Sequence, residues 1–220
     1  MDFIYDPSLV LYLPSYELDG ASFASRDAYG HTCTVTGAVW RPNGRYFDGS
    51  DDLINCGTGA SLQFTGSFTV GIWLKRNGVG TDQRVIGRYD HVNNKRIWLL
   101  YFPADNKFYL AISQNGVTGV AQIADDAYSS TTDWYCIQAV YDSSVPTIYL
   151  YVNGNIIDAT PAGSFPSSML SDSTVPVYIG ASQAPGEYLN GVLGEVWLYN
   201  RALVPAELQQ NYLATKWRYR

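Results

Sequence analysis

Period-two alternation of apolar and polar residues recurs along most of this chain, and it constrains the fold more than any other feature, because it is the signature of strands with one buried and one solvated face. Leu9, Leu11 and Leu13 share a side in Leu9-Val-Leu-Tyr-Leu13. From Ser67 to Leu74 the side chains of Phe68, Val70, Ile72 and Leu74 face one way, and Thr69, Gly71 and Trp73 face the other. Further strands are expected at Arg84–Tyr89, Arg96–Phe102, Lys107–Ser113, Val117–Ile123, Trp134–Tyr141, Thr147–Val152, Val175–Ile179 and Gly191–Tyr199. Asn115-Gly116 and Asn153-Gly154 supply the positive φ that tight hairpins need. Short strands at this density predict a sandwich or barrel.

One helix is expected, opening at Pro205 and running through Lys216, since Pro is tolerated in a first turn and the following residues favour helix. The stretch from Ala162 to Thr174 reads as one long loop, and no internal repeat or linker divides residues 1–220. A single domain of this length can bury roughly 70% of its unfolded surface without staples.

Charge excludes one class of partner. The formal net charge of −6 argues against nucleic acid, whose phosphates are bound mainly by Lys and Arg. No apolar run approaches the ~20 residues of a membrane helix, so membrane insertion is not expected, and Met1-Asp-Phe-Ile-Tyr-Asp-Pro7 does not read as an export signal. Cys33, Cys56 and Cys136 allow at most one internal bridge, match no zinc spacing and read as small buried residues, which leaves a Cys33–Cys56 bridge open.

Several segments, in order, resemble the laminin-G-like jelly-roll family of the concanavalin A-like fold. They are Leu9-Val-Leu-Tyr-Leu-Pro14, Asp27-Ala-Tyr-Gly-His31, Tyr46-Phe-Asp-Gly-Ser-Asp-Asp52, Phe68-Thr-Val-Gly-Ile-Trp-Leu74 and Trp134-Tyr-Cys-Ile-Gln-Ala-Val-Tyr-Asp142. Ile148-Tyr-Leu-Tyr-Val-Asn-Gly154, Tyr178-Ile-Gly180 and Gly191 through Leu203 complete the set. The resemblance implies an all-β, two-sheet antiparallel jelly-roll sandwich with a short C-terminal helix, occupying residues 1–220 as one domain. Trp73, Trp134 and Trp197 are then expected to fill or border its core.

This fold also hosts glycosidases, which set two carboxylates about 5 to 9.5 Å apart across a sugar ring. The four glutamates, Glu17, Glu187, Glu195 and Glu207, show no such pairing, and the glucanase Glu-x-Asp-x-x-Glu pattern is absent. Asp51-Asp52 and Asp125-Asp126 read as solvated turns, and neither His31 nor His91 lies near a nucleophile motif. A non-enzyme is expected.

The resemblance also implies one structural Ca²⁺, held by the Asp27 carboxylate, the loop around Gly30 and Glu195. Two departures count against it: Gly194 stands where the family carries Asp, and Asp27 has an alternative role as acceptor in an Asx turn. Recognition loops of the family gather at one rim, where Arg88–Asn94 and Ser182–Tyr188 are expected to meet. Tyr89, Asp90, His91, Asn93, Asn94, Gln183 and Tyr188 offer the aromatic faces, amides and carboxylate that suit a sugar.

These features predict a recognition module for a glycan or surface polysaccharide, working outside a cell or on a virus particle. The alternative is a structural subunit, a decoration or fibre protein of a virion that meets other virion or surface proteins. The basic, aromatic end Lys216-Trp-Arg-Tyr-Arg220 is the segment that would dock in that case.

Overall fold

The computed structural model describes residues 3–90, 92–93, 95–182 and 187–219. Seventeen strands form among them: β1 (Leu9–Pro14), β2 (Ser22–Ala24), β3 (Thr32–Thr36), β4 (Val39–Arg41), β5 (Gly44–Asp48), β6 (Leu53–Asn55), β7 (Phe68–Arg76), β8 (Gln83–Asp90) and β9 (Lys95–Phe102). The remainder are β10 (Tyr109–Ile112), β11 (Val120–Ala124), β12 (Tyr135–Asp142), β13 (Thr147–Val152), β14 (Asn155–Ile156), β15 (Ala159–Ala162), β16 (Tyr178–Ile179) and β17 (Asn190–Tyr199). One sheet runs β14-β13-β12-β7-β17-β5-β4, with β1 also on β17; the other runs β15-β11-β10-β9-β8-β16-β6-β3-β2. Every paired strand is antiparallel to its neighbour. The expected two-sheet sandwich is what forms.

Alternation places the core. Phe68, Val70, Ile72 and Leu74 of β7 and Ile137, Ala139 and Tyr141 of β12 meet Ile97, Trp98, Leu100 and Leu110 of the facing sheet, all fully buried. Each buried aliphatic or Phe side chain contributes roughly 1.5–3 kcal/mol relative to exposure.

Trp73 and Trp197 belong to a second cluster. They lie on the outer face of the β7-containing sheet with Cys136, Tyr151, Tyr199, Leu203, Leu208 and Tyr219, and Trp134 packs against its edge. What covers them is α1 (Pro205–Thr215), followed by a 3₁₀ turn at Lys216–Arg218. Gly71, at the centre of β7, makes this possible: a Cβ there would fall 2.0 Å from Trp197 Nε1. The Trp73 indole N–H in turn donates to Thr215 Oγ1 at 2.7 Å, which ties the helix to the sheet.

The helix start is fixed by its own sequence. Glu207 accepts the backbone N–H of Val204 at 2.9 Å, and Arg201 donates to both Glu207 oxygens and to Asp6, which pins the N-terminal segment as well.

Several expectations shift. The short strands β2 to β6 had no individual signal beyond the motif at residues 46–52. Asn153 and Gly154 do form a tight β13–β14 turn, at φ 52° and 78°. By contrast, the β10–β11 connection spans residues 113–119, because Asn115 Oδ1 accepts the N–H groups of Val117 and Thr118 in an Asx turn and delays the strand to Val120. Asp52, expected in a solvated turn, is buried and accepts the Asp48 N–H at 2.8 Å; desolvation raises its carboxyl above the usual range.

Candidate functional site

The outer face of the β8–β9 hairpin carries a depression of about 150 Å³, lined by Asp82, Arg84, Tyr89, Arg96, Leu99, Tyr101, Ala111 and Glu187. Two bulges create it. In register, Arg84 opposes Tyr101, Gly87 opposes Leu99 and Tyr89 opposes Arg96, with irregularities between Arg84 and Ile86 and between Arg88 and Tyr89. An extra residue on each strand turns two consecutive side chains inward, Val85 and Ile86 on β8 and Ile97 and Trp98 on β9, and all four join the core. Residues of unlike parity, Arg84 and Tyr89 on one strand and Arg96 and Leu99 on the other, therefore share the outer face. A Cβ at Gly87 would fall 2.8 Å from Leu99 Cδ1, so only glycine lets Leu99 lie here.

Arginine and tyrosine dominate the chemistry. The Tyr89 ring lies 4.5 Å from the Arg84 guanidinium and 5.0 Å from that of Arg96, whose Nη2 donates to the Tyr89 hydroxyl at 3.3 Å. Arg84 also donates to Ser182 Oγ at 2.7 Å and pairs through Nε with the Glu187 carboxylate. Its backbone N–H donates to the Glu187 carbonyl at 2.8 Å, holding Glu187 at φ 62°, a left-handed conformation that costs a non-glycine residue about 1 kcal/mol or more.

Tyr101 is half-buried and packs against Tyr109 with ring centroids 5.1 Å apart and planes tilted by 39°; desolvation raises its phenol above the ordinary value. Asp82 accepts the Ala104 N–H at 2.9 Å. Among the described residues neither Arg96 nor Asp82 makes an ion pair, so the depression holds one unpaired positive and one unpaired negative charge.

Of the sequence-derived residues, Tyr89 lies beside Arg84, which contacts Ser182 and Glu187. Arg88, placed in a rim loop by the sequence, is instead buried at 1% exposure and donates to the carbonyls of Val175 and Asp172. Asp90 ends β8, is buried and accepts both the backbone and the side-chain N–H of Asn93, so this pair shapes the hairpin turn. Tyr188 is half-buried and does not line the depression. His91, Asn94 and Gln183 lie outside the described residues.

Sequence reasoning missed Asp82, Arg84, Arg96, Tyr101 and Glu187. A signal exists: Arg84-Val-Ile and Arg96-Ile-Trp each double an apolar residue after a polar one, where strict alternation would not.

The expected calcium ligands fit that ion poorly. Asp27 accepts three backbone N–H groups, from Tyr12 at 2.9 Å, Tyr29 at 2.8 Å and Gly30 at 3.2 Å, which is the Asx-turn alternative. Glu195 is fully buried, takes the Tyr12 hydroxyl at 2.9 Å and pairs with Arg218, so an internal cation already neutralises it. The two carboxylates are held at opposite ends of Tyr12. Gly194 adds no ligand, and a Cβ there would fall 2.3 Å from the Tyr219 ring. Asp48, Asp51 and Asp52 bring oxygens within 4.8 Å of one another, in a turn where Asp52 accepts the Asp48 N–H and Asp48 accepts the Ser50 N–H.

Residues 48–209 match a laminin G family profile described as the concanavalin A-like lectin/glucanases superfamily. No curated protein sequence matches the chain at a significant level. Solved structures with the same fold include the binding domain of Paraclostridial Mosquitocidal Protein 1, at 16% identity and TM-score 0.71 over 93% of this chain and 52% of that one. The ligand binding domain of botulinum neurotoxin serotype D, in complex with N-acetylneuraminic acid, aligns at 12% identity and TM-score 0.70 over 94% of this chain and 51% of that one. Trypanosoma rangeli sialidase aligns at 17% and 0.69, over 97% of this chain and 34% of that one. This chain thus spans about half the length of the toxin domains and a third of the sialidase; at these identities the likeness is one of fold. Among the described residues no helix is long and apolar enough to cross a membrane.

Proposed function

The chain belongs to the concanavalin A-like lectin/glucanases superfamily, and from that premise we propose that it is a non-catalytic glycan-binding module whose site is the β8–β9 depression. The observation that carries this reading is the Arg96 guanidinium, unpaired among the described residues and held against Tyr89 in a depression floored by Leu99 and Ala111. A fixed guanidinium donates in a planar fork that matches a carboxylate. The aromatic edges of Tyr89 and Tyr101 supply apolar area beside it.

At about 150 Å³ the depression is smaller than the ~300–1,000 Å³ that encloses a whole small molecule. It suits one substituent of a terminal sugar, and the favoured ligand is an acidic sugar whose carboxylate reaches Arg96. The complex of the serotype D toxin domain with N-acetylneuraminic acid supports that ligand class by analogy of fold. Calcium has no step in this reading.

Non-catalysis rests on the carboxylates. Among the described residues Asp82 and Glu187 are the only carboxylates lining the depression, and Glu187 is engaged by Arg84, so no pair of free carboxylates faces a sugar there.

The test is a glycan array with sialylated and uronic-acid-bearing oligosaccharides, followed by titration of the hits with native protein and Arg96→Ala. The expected result is binding to acidic glycans that weakens by about tenfold or more in the variant. Absence of any acidic-glycan hit, or release of free sugar during incubation, overturns the reading.

A further inference from the structure

We infer a second ligand site on the opposite side of the sandwich, where a groove of about 370 Å³ lined by Tyr16, Pro42, Asn43, Trp217, Arg218 and Tyr219 takes one neutral pyranose unit of a glycan, stacked on the Trp217 indole. It rests on the reading that this chain binds glycans, though not on the Arg96 depression.

Trp217 is 60% exposed, which is unusual for the largest apolar side chain in a protein whose other described aromatics mostly pack. Its orientation is nevertheless fixed. The indole N–H donates to the Ala214 carbonyl at 3.1 Å, and the Arg218 guanidinium lies over the ring at 4.4 Å. Arg218 is itself anchored, 4.7 Å from the Tyr16 ring and paired through Nη1 with the buried Glu195. A ring immobilised before binding loses little rotational freedom when a ligand arrives.

The groove's chemistry selects the occupant. With its N–H already used and Arg218 over one side of the ring, the indole offers its other π-face, which the C–H face of a pyranose matches and a strongly hydrated ion does not. Beside it, the exposed Asn43 amide makes no hydrogen bond to a described residue, and Arg218 Nε and Nη2 likewise remain available for sugar hydroxyls. Glu195 balances the charge of Arg218, and among the described residues no other charged side chain lines the groove, so a neutral sugar is favoured over an anionic one.

The experiment uses the full chain and an array of neutral oligosaccharides, with saturation-transfer NMR on the hits for native protein, Trp217→Ala, Trp217→Phe and Arg96→Ala. The expected result is that Trp217→Ala weakens neutral-glycan binding by about fivefold or more, the effect of one lost aromatic contact. Trp217→Phe retains most of the binding, and Arg96→Ala leaves it unchanged. Undiminished binding in Trp217→Ala overturns the inference, as does equal loss in Ala and Phe variants accompanied by a fall in Tm, which marks a structural role. If acidic glycans bind through Arg96 but no neutral glycan binds, only this inference falls; if no glycan binds at all, the proposed function falls with it.

Discussion

The Arg84 guanidinium sits 4.5 Å from the ring of Tyr89, five positions along the same strand, where an unbroken pleat would put the two on opposite faces of the sheet. A second guanidinium, that of Arg96, lies 5.0 Å from the same ring. The depression is organised around this shared aromatic.

Replacing Tyr89 separates stacking from hydrogen bonding. Tyr89→Phe keeps both cation–π contacts and loses the hydroxyl that receives Arg96 Nη2, so its stability is expected to stay within about 1 kcal/mol of native. Tyr89→Leu loses the π-face between two partly desolvated cations and is expected to cost about 1–2 kcal/mol. Urea unfolding of the two variants checks the order; equal losses would place the value of Tyr89 in its hydroxyl.

Arg218→Ala leaves Glu195 buried without its counter-charge, a change expected to cost about 3 kcal/mol near neutral pH. Burial raises the Glu195 carboxyl above the usual range even with Arg218 and Tyr12 opposing that shift. A carboxyl raised in the folded state adds stability while it is protonated and loses that contribution as pH climbs through its folded value. Removing Arg218 raises it further, so the Tm deficit of Arg218→Ala should be smallest near about pH 4 and grow toward about pH 8. Adding Glu195→Gln should flatten that dependence. A deficit independent of pH would show that Arg218 acts through packing alone.

Cys33 and Cys56 are free, buried and in hydrogen-bond contact, one step beyond the Thr34–Asn55 pair that joins β3 to β6. The contact with Cys33, together with burial, pushes the Cys56 thiol well up, so it reacts slowly until the strands open. Under mild denaturant, the thiol oxidant diamide should withdraw two hydrogens and join these two sulfurs, while Cys136, on the other side of β12's sheet, stays reduced. Peptide mapping without reductant reads the result; a bridge to Cys136 would contradict the strand register.

The all-β architecture was legible because β7, β12 and β17 alternate with large apolar residues, and the ordered motifs that resemble a known family selected two sheets over a closed barrel. Legibility ended where the pleat is interrupted. Tyr89 was readable as a site residue, whereas its partners Arg84 and Arg96 were not, because the bulges that turn them outward are visible only as doubled apolar residues at Val85-Ile86 and Ile97-Trp98. The short strands β2 to β6 carry too few residues for a period to emerge.

The sequence by itself determined an all-β chain of many short strands, the Asn153-Gly154 turn and the helix at Pro205, since each follows from local stereochemistry and the period of apolar side chains, while the choice of a two-sheet sandwich over a barrel came from the resemblance of its ordered motifs to a known family. Tertiary structure alone decided that Trp73 and Trp197 cover an outer sheet face beneath α1, that Glu195 meets Arg218, and that Arg84, Tyr89, Arg96 and Glu187 converge. Those outcomes depend on which distant segments become neighbours and on where a strand takes an extra residue, and neither quantity is encoded in the period of any one strand.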